Sequence, residues 1–318
     1  MNTGIYASRR FDDIDEMVQS FSSQWDLKFC QFEPIKCSSY LRQLTLSNIQ
    51  ITNALFSGKS LLTGGTPDWR TFAFHKGKES SFLWRKKQIS HNDLIIFPDT
   101  SELEVAHKGS ANNPYSISLS DSLISSFLSP SEIEGYTRLV TNHEILPLRS
   151  VTLEKLANVM DYYFRACTKN PAFLGSQLFQ HQLEGSIVKT LLPQLFSSDL
   201  TNTTHEQKKL SKQWQTIDKV LNNDTKSLLR VHELSDESGI NQRTMVRLFH
   251  RRYGLPPKTY LKIMRLNKIR NALRKASPDH VTVAEIANQY EFFHIGQLAK
   301  DYNLLFNELP STTLNTVK

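Results

Sequence analysis

The spacing of apolar and polar positions changes period along this chain. Residues 11–29, FDDIDEMVQSFSSQWDLKF, predict a short amphipathic helix with Phe11, Ile14, Met17, Val18 and Phe21 inward. From about residue 39 to 119 the pattern turns to short strands. Leu41, Leu44, Leu46, Ile49 and Ile51 mark an alternating run. WRTFAFHKG, SSFLWRKKQ, NDLIIFP and LEVAHKG follow it, punctuated by Gly64, Gly65, Gly77, Pro98 and Gly109. Regular short strands with turn signals predict a small β-sandwich or barrel. After Ser120 the period is helical again. SDSLISSFLSPSEIEGY, VTLEKLANVMDYYFRACTKN and GSQLFQHQLEGSIVKTLLPQLF are three candidate helices. The polar, aperiodic stretch 197–207 reads as a linker. Beyond it, KKLSKQWQTIDKVLNND predicts a helix with Leu210, Trp214, Ile217 and Leu221 on one face. The predicted class is α+β. Residues 1–196 form an N-terminal domain, β-rich at 39–119 and helical at 120–196, and residues 208–318 an all-α domain.

Within the C-terminal domain, residues 243–275 hold eleven Lys or Arg and no Asp or Glu. Such a run would ordinarily repel itself into disorder. Here Met245, Leu248, Phe249, Tyr253, Leu261, Met264, Leu266, Ile269 and Leu273 interrupt it at helical spacing, so it predicts two helices with basic faces, broken at Gly254 and Pro256-Pro257. Just upstream, a helix ending near Ser238, a left-handed turn at Gly239 and a new helix capped by Asn241 outline a helix-turn-helix. That places Gln242, Arg243 and Thr244 in the first turn, the end of a recognition helix that meets base edges. Arg243, Arg247 and Arg251 recur every four residues as one ridge. A shift of 53 residues repeats the outline: Met245 falls on Leu298, Arg247 on Lys300, Phe249 on Tyr302, Tyr253 on Phe306, Gly254 on Asn307 and Pro257 on Pro310. Thr282 and Glu285 have capping-box spacing, starting the first helix of this second unit.

Charge sharpens the division. Residues 207–318 carry 19 basic and 10 acidic side chains, a net +9, against −2 for residues 1–206. The excess positive charge therefore belongs with a nucleic-acid-facing part. Cys30, Cys37 and Cys167 are odd in number and lack CxxC spacing, predicting reduced thiols in a cytoplasmic protein. No apolar run spans a bilayer, and the N-terminus has no secretory pattern. No GxSxG, Walker loop or HExxH occurs. His75, Glu79, His91 and His107 lack the two-apart histidine pair that metal-binding barrels use, so neither a catalytic residue nor a metal or other cofactor is predicted. Trp69, Phe72, Phe74, Phe82, Trp84 and Phe97 are either ordinary core or the lining of a small-molecule pocket. A metal-dependent barrel enzyme and a non-specific architectural protein are the competing function classes.

The runs GINQRTMVRLFHRRYGLPPKTYLKIMRLNKIRNAL and FFHIGQLAKDYNLLFNELPSTTL resemble the two-unit DNA-binding pattern of the AraC/XylS family of bacterial transcription regulators. The second matches a subgroup ending in HxGxxxxDYxxxFxExPSxTL. The resemblance covers roughly residues 206–314. It implies two recognition helices entering successive major grooves of double-stranded DNA. It also implies an N-terminal sensing or dimerising domain with a cupin-like barrel. A cytoplasmic activator that answers a small-molecule effector, forms a homodimer and works with RNA polymerase fits the same pattern. By position, Gln242, Arg243, Thr244, Arg247 and Arg251 of the first unit and His294, Ile295, Gln297 and Lys300 of the second would face DNA. Arg251, Arg252, Lys258, Lys262 and Lys268 read as phosphate or solvent partners. Glu291, Gln297, Asn307 and Leu309 depart from the family pattern, which usually has glycine in the second turn.

Overall fold

The computed structural model describes residues 4–21, 25, 27–34, 39–65, 68–76, 82–85, 87–97, 103–107, 111–196, 213–214, 216–221 and 229–316. The chain forms two compact units. One comprises Met1–Phe29, Lys36–Ser57 and Leu62–Thr201, and the other Cys30–Ile35, Gly58–Leu61 and Asn202–Lys318. Both the linker at 197–207 and Leu210 lie outside the described residues, as do Cys37 and Glu79.

The first unit is a mixed α/β assembly. Its larger sheet runs in the order Ile5–Phe11, Ser39–Thr45, Ile49–Ser57, Pro114–Leu119, Arg70–His75, Asp93–Ile96, Ile145–Pro147, with Ala111–Asn112 added beside Ile49–Ser57. A second sheet includes Leu103–His107, Phe82–Trp84 and Lys87–Gln88 in that order. Among the described residues both sheets are open, where a closed cupin-like barrel was the sequence expectation. The run Leu41–Ile51 divides into two strands paired as a hairpin, with Leu44 opposite Ile51.

Among the described residues, five α-helices accompany the sheets: α1 (Ile14–Ser20), α2 (Asp121–Ser126), α3 (Pro130–Asn142), α4 (Ser150–Lys169) and α5 (Gln177–Leu195). α1 buries Ile14, Met17 and Val18, with Phe11 and Phe21 buried at its ends, as its periodicity predicts. The predicted single helix over 120–136 is two, because Ser129 and Pro130 start a new one. Glu132 accepts the Ser129 N–H at 2.8 Å, the capping arrangement that favours a helix start there. The stretch Ile145–Pro147, read as part of a helical region, instead pairs with Asp93–Ile96.

Strand alternation decides what each face of the larger sheet meets. Ile49, Ile51, Phe72, Phe74, Leu94, Ile96, Ile117 and Leu119 share one core with Leu153, Leu156, Met160 and Phe164 of α4 and Leu183 and Ile187 of α5. The intervening Thr52, Ala54, Phe56, Ala73, His75, Ile95 and Ser116 line a cavity with Phe82, Trp84 and His107.

Beyond the helical residues 213–214 and 216–221, the described residues of the second unit form α6 (Val231–Ser238), α7 (Gln242–Tyr253), α8 (Pro257–Lys275), α9 (Val283–Gln289), α10 (Ile295–Phe306) and α11 (Pro310–Thr316). α8 packs against α6, α7, α9 and α11, so it ties both halves together. It buries Tyr260, Ile263, Leu266, Asn267, Ile269, Arg270 and Leu273. Trp214 and Ile217, from the helical residues 216–221 and their N-terminal approach, are buried as well, and Trp214 lies 5.3 Å from Phe249. No helix among the described residues is long and apolar enough to cross a membrane.

Candidate nucleic-acid interface

The first candidate reading helix is α7. Gly239 takes φ +64° after α6, a backbone that L side chains rarely adopt, and Asn241 then opens α7. The Asn241 side chain accepts the Thr244 N–H at 2.9 Å, satisfying one of the four donors a helix start leaves unpaired. Met245, Leu248, Phe249, Arg252 and Tyr253 are buried, which fixes the rotation of the helix. Its outward face then carries Gln242, Arg243, Arg247, His250 and Arg251, all exposed, with Thr244 half-buried. Val246 is 40% exposed on that face, between the arginines. It is an apolar contact that attention to charge passes over, although its i+3 spacing from Arg243 places it on the ridge.

The 53-residue duplication holds at the level of helix ends. α10 starts and finishes 53 residues after α7. Both end in a left-handed cap, Gly254 at φ +70° and Asn307 at φ +56°, and Pro257 and Pro310 each open the following helix. Leu298, Tyr302, Leu305 and Phe306 are buried, so His294, Ile295, Gln297 and Lys300 are exposed together. Phe293, 68% exposed, stands beside them and was not singled out from sequence. The Thr282–Glu285 capping box forms in both directions, at 2.7 Å and 3.2 Å. Tyr302 donates to or accepts from Thr313 at 2.7 Å, pinning α11 against α10.

The basic run divides between two jobs. Arg252, expected at phosphate or solvent, is 3% exposed. It meets Asp218 at 3.1 Å and lies 4.2 Å from the Trp214 ring centroid. Burial draws its guanidinium below the usual range. Lys262 pairs with Asp301 at 2.9 Å, Arg265 lies over Phe292, and Arg270 pairs with Glu308 at 3.0 Å. These cations bind the second half of the unit to α8. Lys258 remains exposed and Lys268 half-buried.

In the first unit, the cavity of about 70 Å³ brings together Phe82, Trp84 and Phe97 of the predicted pocket lining. Phe72 and Phe74 belong to the opposite, helix-facing core, because alternation points them away, and Trp69 is half-buried outside the lining. The alternating partners Ala73 and His75 take their place. His75 stacks on Phe82 at 4.1 Å, and His107 lies 5.1 Å from Phe56. Burial, with the neighbouring His107, lowers the His75 pKa to about 3. Burial alone lowers that of His107 to about 4. Both imidazoles are therefore neutral. Among the described residues, Thr52 Oγ1 and Trp84 Nε1 are buried there without a hydrogen-bond partner. His91 is half-buried and outside this lining.

Residues 234–316 match the family model described as a helix-turn-helix domain. The chain is similar to the XylDLEGF operon transcriptional activator 3 of Pseudomonas putida, at 29% identity over 132 residues. That match covers 42% of this chain and 39% of the relative, well under half of its length. It is also similar to the probable thc operon regulatory protein of Rhodococcus erythropolis, at 35% identity over 89 residues, covering 28% of this chain and 27% of that one. Against the solved structure of ToxT from Vibrio cholerae the identity is 13% over 99% of both chains. The TM-score of 0.32 is too low to establish a shared fold. With two capped helices repeated at a constant interval, a matching family model and these relatives, residues 234–316 are a helix-turn-helix domain of the AraC/XylS family.

Proposed function

We propose that this chain is a cytoplasmic, sequence-specific DNA-binding transcription regulator of the activator type, reading successive major grooves of double-stranded DNA with α7 and α10. The observation that carries the reading is the duplication. Two helices of equal length, each closed by a left-handed C-cap, present an exposed first turn over a fixed apolar face. Arg243 and Arg247 suit guanine O6 and N7, each good bidentate contact discriminating by about 1–3 kcal/mol. Val246 and Ile295 suit thymine methyl groups, and Gln297 suits adenine. Lys258 and Arg251 suit phosphate, where contacts orient the protein without reading sequence. The second helix-turn-helix presents Lys300 as its basic reading residue, so the first helix-turn-helix supplies most of the electrostatic attraction.

The first unit serves as the cupin-like sensing and dimerising part of this proposal. Its cavity is apolar with a neutral imidazole pair and two unsatisfied polar atoms, Thr52 Oγ1 and Trp84 Nε1. That chemistry suits a small uncharged or weakly acidic effector with an apolar body and one hydrogen-bonding group. Residues 151–196 supply the homodimer face. Val151 (72% exposed) and Tyr162 (61% exposed) stand on α4, beside a groove lined by Glu154, Lys155, Asn158 and Val159. RNA polymerase is the further partner of an activator.

The test is recovery of bacterial genomic fragments by the purified full-length protein, with and without Arg243→Ala and Arg247→Ala together. Discrete fragments lost by the double variant support the reading. Recovery that is uniform across the genome, or unchanged in the variant, rejects it.

A further inference from the structure

The segment Cys30–Ile35, from near the N-terminus, belongs to the compact unit that carries the reading helices. Gln31, Phe32 and Asn267 are all buried. The Asn267 side chain, on α8, treats the backbone of Gln31 as a strand treats its neighbour. The Gln31 N–H donates to Asn267 Oδ1 at 2.9 Å, and Asn267 Nδ2 donates to the Gln31 carbonyl at 3.0 Å. Both partners are removed from water, so each polar group depends on the other.

The same segment reaches both reading helices. Gln31 Nε2 donates to the Leu305 carbonyl at 2.7 Å. Leu305 lies in the last turn of α10, where carbonyls have no partner within the helix. In the other direction, the Phe32 ring meets Tyr253, the last residue of α7, at 5.7 Å and Tyr260 of α8 at 5.6 Å. Cys30 Sγ approaches Met264 Sδ, also on α8, at 3.2 Å. The residues that follow are held in turn, Phe32 N–H by the Lys59 carbonyl at 2.9 Å and Glu33 by Lys59 at 3.3 Å. A single strap of three residues thus touches α7, α8 and α10.

We propose that Cys30–Phe32 is a strap that sets the spacing of the two reading helices, with Asn267 and Gln31 as its positioning residues. The inference rests on the proposed two-helix reading of DNA. Fixing two binding elements at one separation makes the second contact intramolecular only for sites of matching geometry, and penalises the rest. The strap therefore contributes to which spacing is accepted, while the identity of the bases is read by α7 and α10. Neither Asn267 nor Gln31 faces the outward ridge, since both are buried.

The experiment uses the full-length protein and duplexes bearing its two-element site, with the separation lengthened or shortened by one base pair, plus a duplex with the first element alone. Wild-type protein is expected to prefer one separation by about tenfold, the size of a mismatched position. Asn267→Ala and Gln31→Ala are expected to reduce that preference to about twofold, leaving affinity for the first element alone within about twofold of wild type. Gln31→Ala keeps every backbone contact of the strap, so it decides the matter if Asn267→Ala unfolds. A spacing preference unchanged in the folded variants overturns the proposal, as does equal weakening on one-element and two-element duplexes. Wild-type binding that ignores the sequence of both elements instead overturns the two-helix reading, and the strap's role with it.

Discussion

At the scale of single residues, two arginines nine positions apart have opposite fates, and the difference is set by what packs behind them. Arg243 stands exposed in the first turn of α7, where it can donate two bonds to one base. Arg252 is enclosed by Trp214, Tyr253 and Asp218. Arg243→Ala is accordingly expected to cost about 1–3 kcal/mol of binding to the preferred site and little on unrelated DNA. Lys258→Ala should weaken all sequences alike and lower the slope of binding against salt by about one. Titrations of both variants on specific and scrambled duplexes at two salt concentrations separate these outcomes, and matching behaviour of the two contradicts the assignment. Arg252→Ala is expected instead to destabilise the fold by about 3 kcal/mol, because it removes a buried cation from beside Asp218 and opens a gap against Trp214. Denaturant unfolding reads that loss, and an unchanged midpoint would count against the buried pair. The ridge Arg243, Arg247 and Arg251 was legible from i, i+4 spacing alone. The fate of Arg252 was not, since Asp218 lies 34 residues away in sequence.

At the scale of elements, the helix ends were the most legible part of the chain, because each rests on local chemistry. Gly239, Asn241, Gly254, Thr282 with Glu285, and Asn307 all do what their side chains predict. Glu291 is the exception, standing at φ +55° where the pattern of the family has glycine. A side chain with a Cβ costs about 1–2 kcal/mol in that conformation, and glycine loses about 0.5–1 kcal/mol of that through unfolded-state entropy. Glu291→Gly should therefore stabilise the chain by a few tenths to about 1 kcal/mol. Gly254→Ala should destabilise it by about 1 kcal/mol, for the reverse reason. Thermal unfolding of the pair checks the signs, and a destabilised Glu291→Gly would mean that the glutamate makes a compensating contact. Elements fixed by distant partners were harder to read. Three residues, Ile145–Pro147, are too few to show a period, and their strand exists because Asp93–Ile96 pairs with them. Likewise, both faces of Arg70–His75 are buried, so alternation could not say whether Phe72 or Ala73 faces the cavity.

At the scale of the whole molecule, the asymmetry of charge is matched by an asymmetry of chemistry between the two units. The basic unit carries the two candidate reading helices, and the other encloses two neutral histidines. Because burial lowers both pKa values below the ordinary 6.5, the native state stays unprotonated where the unfolded chain takes up protons. Stability is therefore complete above about pH 6.5 and declines as pH falls towards about 4, by about 2 kcal/mol per histidine at pH 5. Denaturant titration at pH 7 and pH 5 should show this loss, with His107→Gln recovering about half of it. The same pH dependence in both proteins would place the acid-sensitive groups elsewhere. The central proposal is that α7 and α10 read DNA sequence together. Selection from a random duplex pool by the full-length protein, alongside Arg243→Ala, tests that most directly. Expected is a site of two elements about one helical turn (10–10.5 bp) apart, with the variant losing its preference at one or two positions of a single element. Enrichment of no sequence, or the same site recovered by both proteins, would contradict it.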